Sequence, residues 1–178
     1  MGVRVLTTLR RLKPSQVAFE TSLSGILRHA GYSPSDWDVG LWITSRKKIR
    51  ELNAEYRGIR RSTDILSFAA HTLPEPEQWP ADIDSIPPGK DLGDMVLALE
   101  VALAAAKQSN LSPQLLIPRL LIHGTVHLLG YDHENEADFA AMLAAEQRLL
   151  SAYHADTSLP GSVAATGPAS HMQFVLPE

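Results

Sequence analysis

The sequence predicts an α+β fold in which a small mixed four-stranded sheet is packed with about five helices. Three observations lead there. Runs rich in β-branched or alternating apolar residues occur at 3–9, 37–45, 63–70 and 92–100, the lengths that strands have. Helical periodicity fills the intervals after the first two runs and takes over beyond the fourth. Most Gly and Pro residues punctuate these segments, giving the order β-α-β-α-β-β-α-α-α, which suits one sheet with helices packed on it. A chain of 178 residues has the length of one domain with its own core.

"VRVLTTL" (3–9) reads as the first strand. Pro14 and Ser15 open an amphipathic helix in which Val17, Leu23, Ile26 and Leu27 share a face, and Gly31 ends it. "WDVGLWITS" (37–45) alternates as a second strand. Ser45 is placed to cap a second helix running through Ile49, Leu52 and Tyr56 to a left-handed Gly58. "TDILSFAA" and "LGDMVLALE" give two more strands, separated by residues 71–90, which hold five of the twelve prolines and read as a long surface loop. "EVALAAAKQSN", "SPQLLIPRLLIHGTVHLL" and "EADFAAMLAAEQRLLSAY" supply three further helices. From Asp156 the chain has few apolar anchors and several Gly, Pro and Ser. The expected division is therefore a domain over 1–155 and a flexible tail over 156–178.

The apolar fraction of 44% and charged fraction of 20% are those of an ordinary soluble domain. No window approaches the roughly 18 consecutive apolar residues of a membrane span, and the N-terminus lacks the layout of a secretory signal. The expectation is a cytoplasmic protein with no membrane partner, or an organellar one, mitochondrial or plastid, if the source is eukaryotic. Cysteine is absent, so any transition metal must be held by His and carboxylate. The net charge of −4 argues against a general nucleic-acid binder, but the sum hides its distribution. Between residues 46 and 61, "RKKIRELNAEYRGIRR" carries seven of the sixteen basic residues against two acidic ones. Arg46, Lys47, Lys48, Arg50, Arg57, Arg60 and Arg61 form either a solvated helix face or a phosphate-attracting surface.

"HGTVHLLGYDH" (123–133) has the H-x-x-x-H-x-x-G-x-x-H spacing of a zinc-metalloprotease helix. His123 and His127 are one turn apart, which suits two imidazoles on one ion, and Leu116 and Leu120 continue their stripe into the core. Gly130 permits a sharp reversal that brings His133 back as a third imidazole. Three neutral nitrogen ligands leave a fourth position open, as in a catalytic zinc site; nickel or another late first-row ion also suits such a set. Gly124 stands where the proteases carry their glutamate base, and is expected to leave space beside the metal for a substrate group. Asp132 and Glu134 either orient a ligand or are solvated turn acids. Tyr131 and Met142 read as packing residues, and Asp94 either meets the site or closes a turn.

The same eleven residues resemble the signature H-G-x-x-H-L-x-G-Y-D-H of the YbeY endoribonucleases, a family of metal-dependent RNA-processing proteins. "LNAEYRGIRRSTDILSF" (52–68) resembles that family's "LNxxYRxxxxPTDVLSF", and "LGDMVLALE" (92–100) its "LGDIxIxxE". The resemblance covers residues 1 to about 154. It implies a metzincin-like metal helix, one zinc held by His123, His127 and His133, and Arg57 facing the metal cleft. These four are then the catalytic residues. The implied activity is single-strand-specific endoribonuclease cleavage in ribosomal RNA maturation and ribosome quality control, with single-stranded RNA, ribosomal RNA and the small ribosomal subunit as partners. Departures are Ser62 in place of proline, Ile59-Arg60 in place of a Lys-Asp pair, and Pro118, expected to kink the fourth helix one turn before His123. A metallopeptidase and a non-catalytic RNA-binding assembly factor with a structural metal are the competing readings.

Overall fold

The computed structural model describes residues 2–9, 16–70, 91–131, 136–156 and 158–159. They form β1 (Val3–Thr7), α1 (Gln16–His29), β2 (Asp38–Thr44), α2 (Arg46–Arg57), β3 (Ile65–Ala69), β4 (Asp91–Ala98), α3 (Leu99–Gln108), α4 (Pro113–Leu128) and α5 (Glu136–Ala155). This is the expected mixed α+β order. Leu99 and Glu100, read as strand, belong instead to the first turn of α3, which follows β4 without a loop. The proline-rich stretch 71–90 lies outside the described residues.

The sheet order is β1-β2-β4-β3. β1, β2 and β4 run parallel, while β3 pairs antiparallel with β4 and forms an edge. Strand alternation divides the core between the two faces. Val39, Leu41, Ile43, Met95 and Leu97 meet α1, α4 and α5 in the larger cluster. Leu66, Val96 and Ala98 point the other way and pack under Ile49 and Leu52 of α2. The histidine helix and the basic helix therefore cover opposite faces of one sheet.

Local chemistry explains where α2 starts and stops. Ser45 accepts from the Lys48 amide in extended backbone, and Gly58 ends the helix at φ +72°, a conformation that favours glycine. The amides of Gly58 and Ile59 both return to the carbonyl of Asn53. The buried Asn53 side chain then donates to the Arg61 carbonyl at 2.7 Å. One asparagine thus fixes the turn that carries Arg60 and Arg61.

Two expectations need correction, at Val17 and at the boundary after Ala155. Val17 is 70% exposed, and Phe19 takes its place in the buried stripe with Leu23, Ile26 and Leu27. At 100° per residue, Phe19 lies about 40° from Leu23 and Val17 about 120° away, so the spacing favours Phe19. α4 continues through Pro118 to Leu128. The carbonyl deprived of its partner belongs to exposed Gln114, where solvent has access. Finally, the packed chain does not stop at Ala155. Leu159 is only 3% exposed and lies against Gly25 of α1, so closely that a Cβ on Gly25 would overlap its methyl groups. Asp156 contacts His29 at 3.3 Å and accepts from the Ser158 hydroxyl and amide.

Leu159→Ala should therefore cost about 2–5 kcal/mol, the range for emptying a buried leucine site, read as a shift in the urea midpoint. A chain ending at Ala155 should lose at least as much. The Asp156 carboxyl is held below its ordinary range, first by the Ser158 hydroxyl and amide and then by His29. Its contribution is present above the ordinary carboxylate pKa and is lost as pH falls through the lowered one, so acid should loosen this clasp.

Candidate metal centre

His123 and His127 stand one turn apart on α4 with ring centroids 4.6 Å apart and planes at 87°. Both are half-buried, at the end of the stripe that Leu116 and Leu120 bury. Each ring is held through Nδ1. His123 Nδ1 donates to Glu146 Oε1 on α5 at 2.7 Å, and His127 Nδ1 donates to the Tyr131 carbonyl at 3.0 Å. A carbonyl and an ionised carboxylate only accept, so the proton of each neutral imidazole sits on Nδ1. The lone pair is then on Nε2 in both rings. This is how metal-ligating histidines are oriented and made more basic, and the donor set fits a late first-row ion.

The turn after α4 delivers the second of these supports. Gly130 has φ +89°, and the Tyr131 amide returns to the Val126 carbonyl at 3.2 Å, which aims the Tyr131 carbonyl back at His127. The Tyr131 side chain is buried, as is Met142, so both pack as expected. His133, Asp132 and Glu134 lie outside the described residues. Among the described residues no group of three or more His, Asp or Glu side chains converges on a metal position. Glu146 was not found from sequence. The available signal was its place in α5, half-buried and flanking the stripe of Met142, Ala145, Leu149 and Tyr153 in an otherwise Ala-rich helix.

Gly124 does not open space beside the histidines. It faces the sheet, where a Cβ would lie 2.4 Å from Met95 Sδ, 2.9 Å from Ile65 Cδ1 and 3.1 Å from Ser67 Oγ. The glycine is there because α4 lies directly on β3 and β4. A glutamate has no room at this position. Asp94 is also settled: it projects on the α2 face over Gly40, its register partner, and away from α4.

Arg46, Lys47, Arg50, Arg57, Arg60 and Arg61 are exposed, and Lys48 pairs with Glu51 at 3.5 Å. Helical spacing puts Arg46, Arg50 and Arg57 along one edge of α2. Arg57 closes α2, which packs on the face of the sheet opposite to α4. What links them is β3. Ser67 points towards Gly124 of α4, while the next residue, Phe68, points towards Tyr56 at the end of α2. β3 thus touches α4 through one residue and the end of α2 through the next. The Ser67 hydroxyl is buried with no hydrogen-bond partner among the described residues.

The family model described as Endoribonuclease YbeY matches residues 11–154, from ahead of α1 into the last turn of α5. The chain belongs to the YbeY endoribonuclease family. The Endoribonuclease YbeY of Heliobacterium modesticaldum is 38% identical over 137 residues, covering 76% of this chain and 81% of that protein. The one from Desulforamulus reducens is 42% identical over 125 residues, covering 70% and 76%. A Thermotoga maritima protein solved in solution superposes with a TM-score of 0.50 at 20% identity, covering 95% of this chain and 99% of that one. At that identity the likeness speaks for the fold alone. YbeY membership gives the chain a reaction class, the cleavage of RNA.

The Gly124 contact can be measured. Alanine gains about 1 kcal/mol in helix propensity, while overpacking this contact costs about 1–3 kcal/mol. Gly124→Ala should therefore lower stability by about 1 kcal/mol in urea unfolding, and Gly124→Glu should prevent folding. A neutral Gly124→Glu would place the residue in open space instead.

Proposed function

We propose that this YbeY protein is a single-strand-specific, zinc-dependent endoribonuclease acting in ribosomal RNA maturation and ribosome quality control. On this reading it works in the cytoplasm on RNA of the small ribosomal subunit. The observation that carries the metal part is the pair of Nδ1 bonds, to Glu146 and to the Tyr131 carbonyl, which set both histidines for ligation through Nε2. His123 and His127 would hold the ion from a metzincin-like helix, with His133 as the third ligand. When bound, zinc supplies Lewis acidity that draws charge from a phosphate oxygen. The chain's own residues supply the rest. Arg57 offers a permanent positive charge and a planar fork to the phosphate as negative charge builds in the transition state. The outer cations Arg46, Lys47, Lys48 and Arg50, with Arg60 and Arg61, attract the RNA backbone. The packing of Gly124 against the sheet weighs against a metallopeptidase of the glutamate-dependent kind.

Elemental analysis beside an RNA cleavage assay with and without chelator tests this reading. About one zinc or nickel per chain and chelator-sensitive cleavage of single-stranded RNA support it. Binding without cleavage would support a non-catalytic assembly factor, and casein cleavage a peptidase. His123→Ala should abolish metal binding, and Glu146→Ala should weaken metal affinity by roughly 10–100-fold while the chain stays folded. Arg57→Ala should reduce kcat/KM by about 10²–10³ with metal content unchanged. Arg46→Ala should weaken RNA binding modestly and in a salt-dependent way. Equal small effects from the two arginines would remove Arg57 from charge stabilisation.

A further inference from the structure

The geometry points to a base-stacking platform formed by Tyr56 and Phe68, on which one unpaired RNA base rests while Arg57, Arg60 and Arg61 meet its flanking phosphates. The inference rests on the RNA-cleaving reading above and gives single-strand preference a residue-level cause. Tyr56 is 61% exposed although it sits in the last turn of a helix whose neighbouring stripe is buried. Its ring is braced edge-on by Phe68 of β3, with centroids 5.0 Å apart and planes at 69°. The ring is thus largely exposed yet held by a neighbour, which limits its motion and lowers the entropy lost when a ligand covers it.

The surroundings identify the ligand. Exposed large hydrophobic residues occur elsewhere, at Leu6, Val17, Phe139 and Leu143, but Tyr56 and its neighbour Ile59 lie among arginines. No carboxylate pairs with Arg57, Arg60 or Arg61 among the described residues. The Asn53 side chain fixes the turn that presents the last two. A braced, exposed ring with three exposed arginines within five residues of it in the chain is complementary to a base with a phosphate on either side. Stacking of this kind accepts any base but requires that the base be unpaired. A duplex, whose bases are already stacked, cannot use it.

The platform also lies in register with the histidines. Phe68 follows Ser67, and Ser67 faces α4 at Gly124, between the two histidines in sequence. β3 is the edge of the sheet, so a single strand passing over that edge can stack on one face and present a phosphodiester on the other.

The test uses the full chain with its metal, a single-stranded oligoribonucleotide carrying 2-aminopurine, and the same strand in a duplex. Tyr56→Ala should raise KM for the single strand by roughly tenfold or more, with kcat kept within about twofold and the quenching of 2-aminopurine lost. Tyr56→Phe and Tyr56→Trp should retain wild-type KM and quenching. Tyr56→Leu, which keeps bulk without a π-face, should behave as the alanine variant does and guards against loss through misfolding. Unchanged KM and quenching in Tyr56→Ala, with wild-type RNA cleavage intact, would overturn the platform alone. Equal losses in Tyr56→Phe and Tyr56→Ala would overturn it too, because stacking does not need the hydroxyl. A wild-type protein that neither binds nor cuts RNA would overturn the function and the platform together.

Discussion

The missing side chain at residue 124 governs how closely α4 lies on the sheet, and the rest of the site depends on that closeness. With Met95, Ile65 and Ser67 pressed against the helix backbone, α4 has little freedom to rotate or rise. His123 and His127, on either side of this contact in sequence, inherit its precision. In the glutamate-bearing metalloproteases the equivalent position serves chemistry; here it serves packing. A single atom's absence converts part of a catalytic motif into a structural seat.

The second requirement is met from outside the motif. The two histidines would be free to choose either tautomer if nothing held Nδ1, and half the choices would turn the wrong nitrogen towards a metal. Glu146 reaches in from α5, and the Tyr131 carbonyl comes from the turn that Gly130 makes possible. Metal affinity is thereby tied to the α4–α5 packing. A change that shifts α5 reaches the histidines without touching either of them.

How much of this could be read beforehand follows from the range of the forces involved. Ser45, Gly58 and the spacing of His123 and His127 act within a few residues, so the caps of α2 and the histidine pair were legible in the sequence. The position of Phe19 was also legible, had the helical angle been applied in place of Val17. Strand order was not, because the insertion of β4 between β2 and β3 is decided by contacts far apart in the chain. That insertion is also why the basic helix and the histidine helix end on opposite faces. Gly124 and Glu146 were misread or missed for the same reason: both act on partners in other elements. Leu159 stands alone among polar neighbours, so no periodicity marks it.

Leu159, Tyr153 and Asp156 all close onto α1, and this has a consequence for the order in which the protein can be made. Tyr153 bonds Ser22 across 131 positions of chain, and Asp156 reaches His29 across 127. During synthesis α1 emerges early, yet part of the surface that covers its apolar stripe is built only when residues 153–159 have left the ribosome. Until then the nascent chain carries an uncovered seam, the kind of surface that chaperones hold and that aggregates when they do not. The last turn of α5 and the residues just after it therefore act as a closing latch, and the rate at which they appear sets the end of the vulnerable interval.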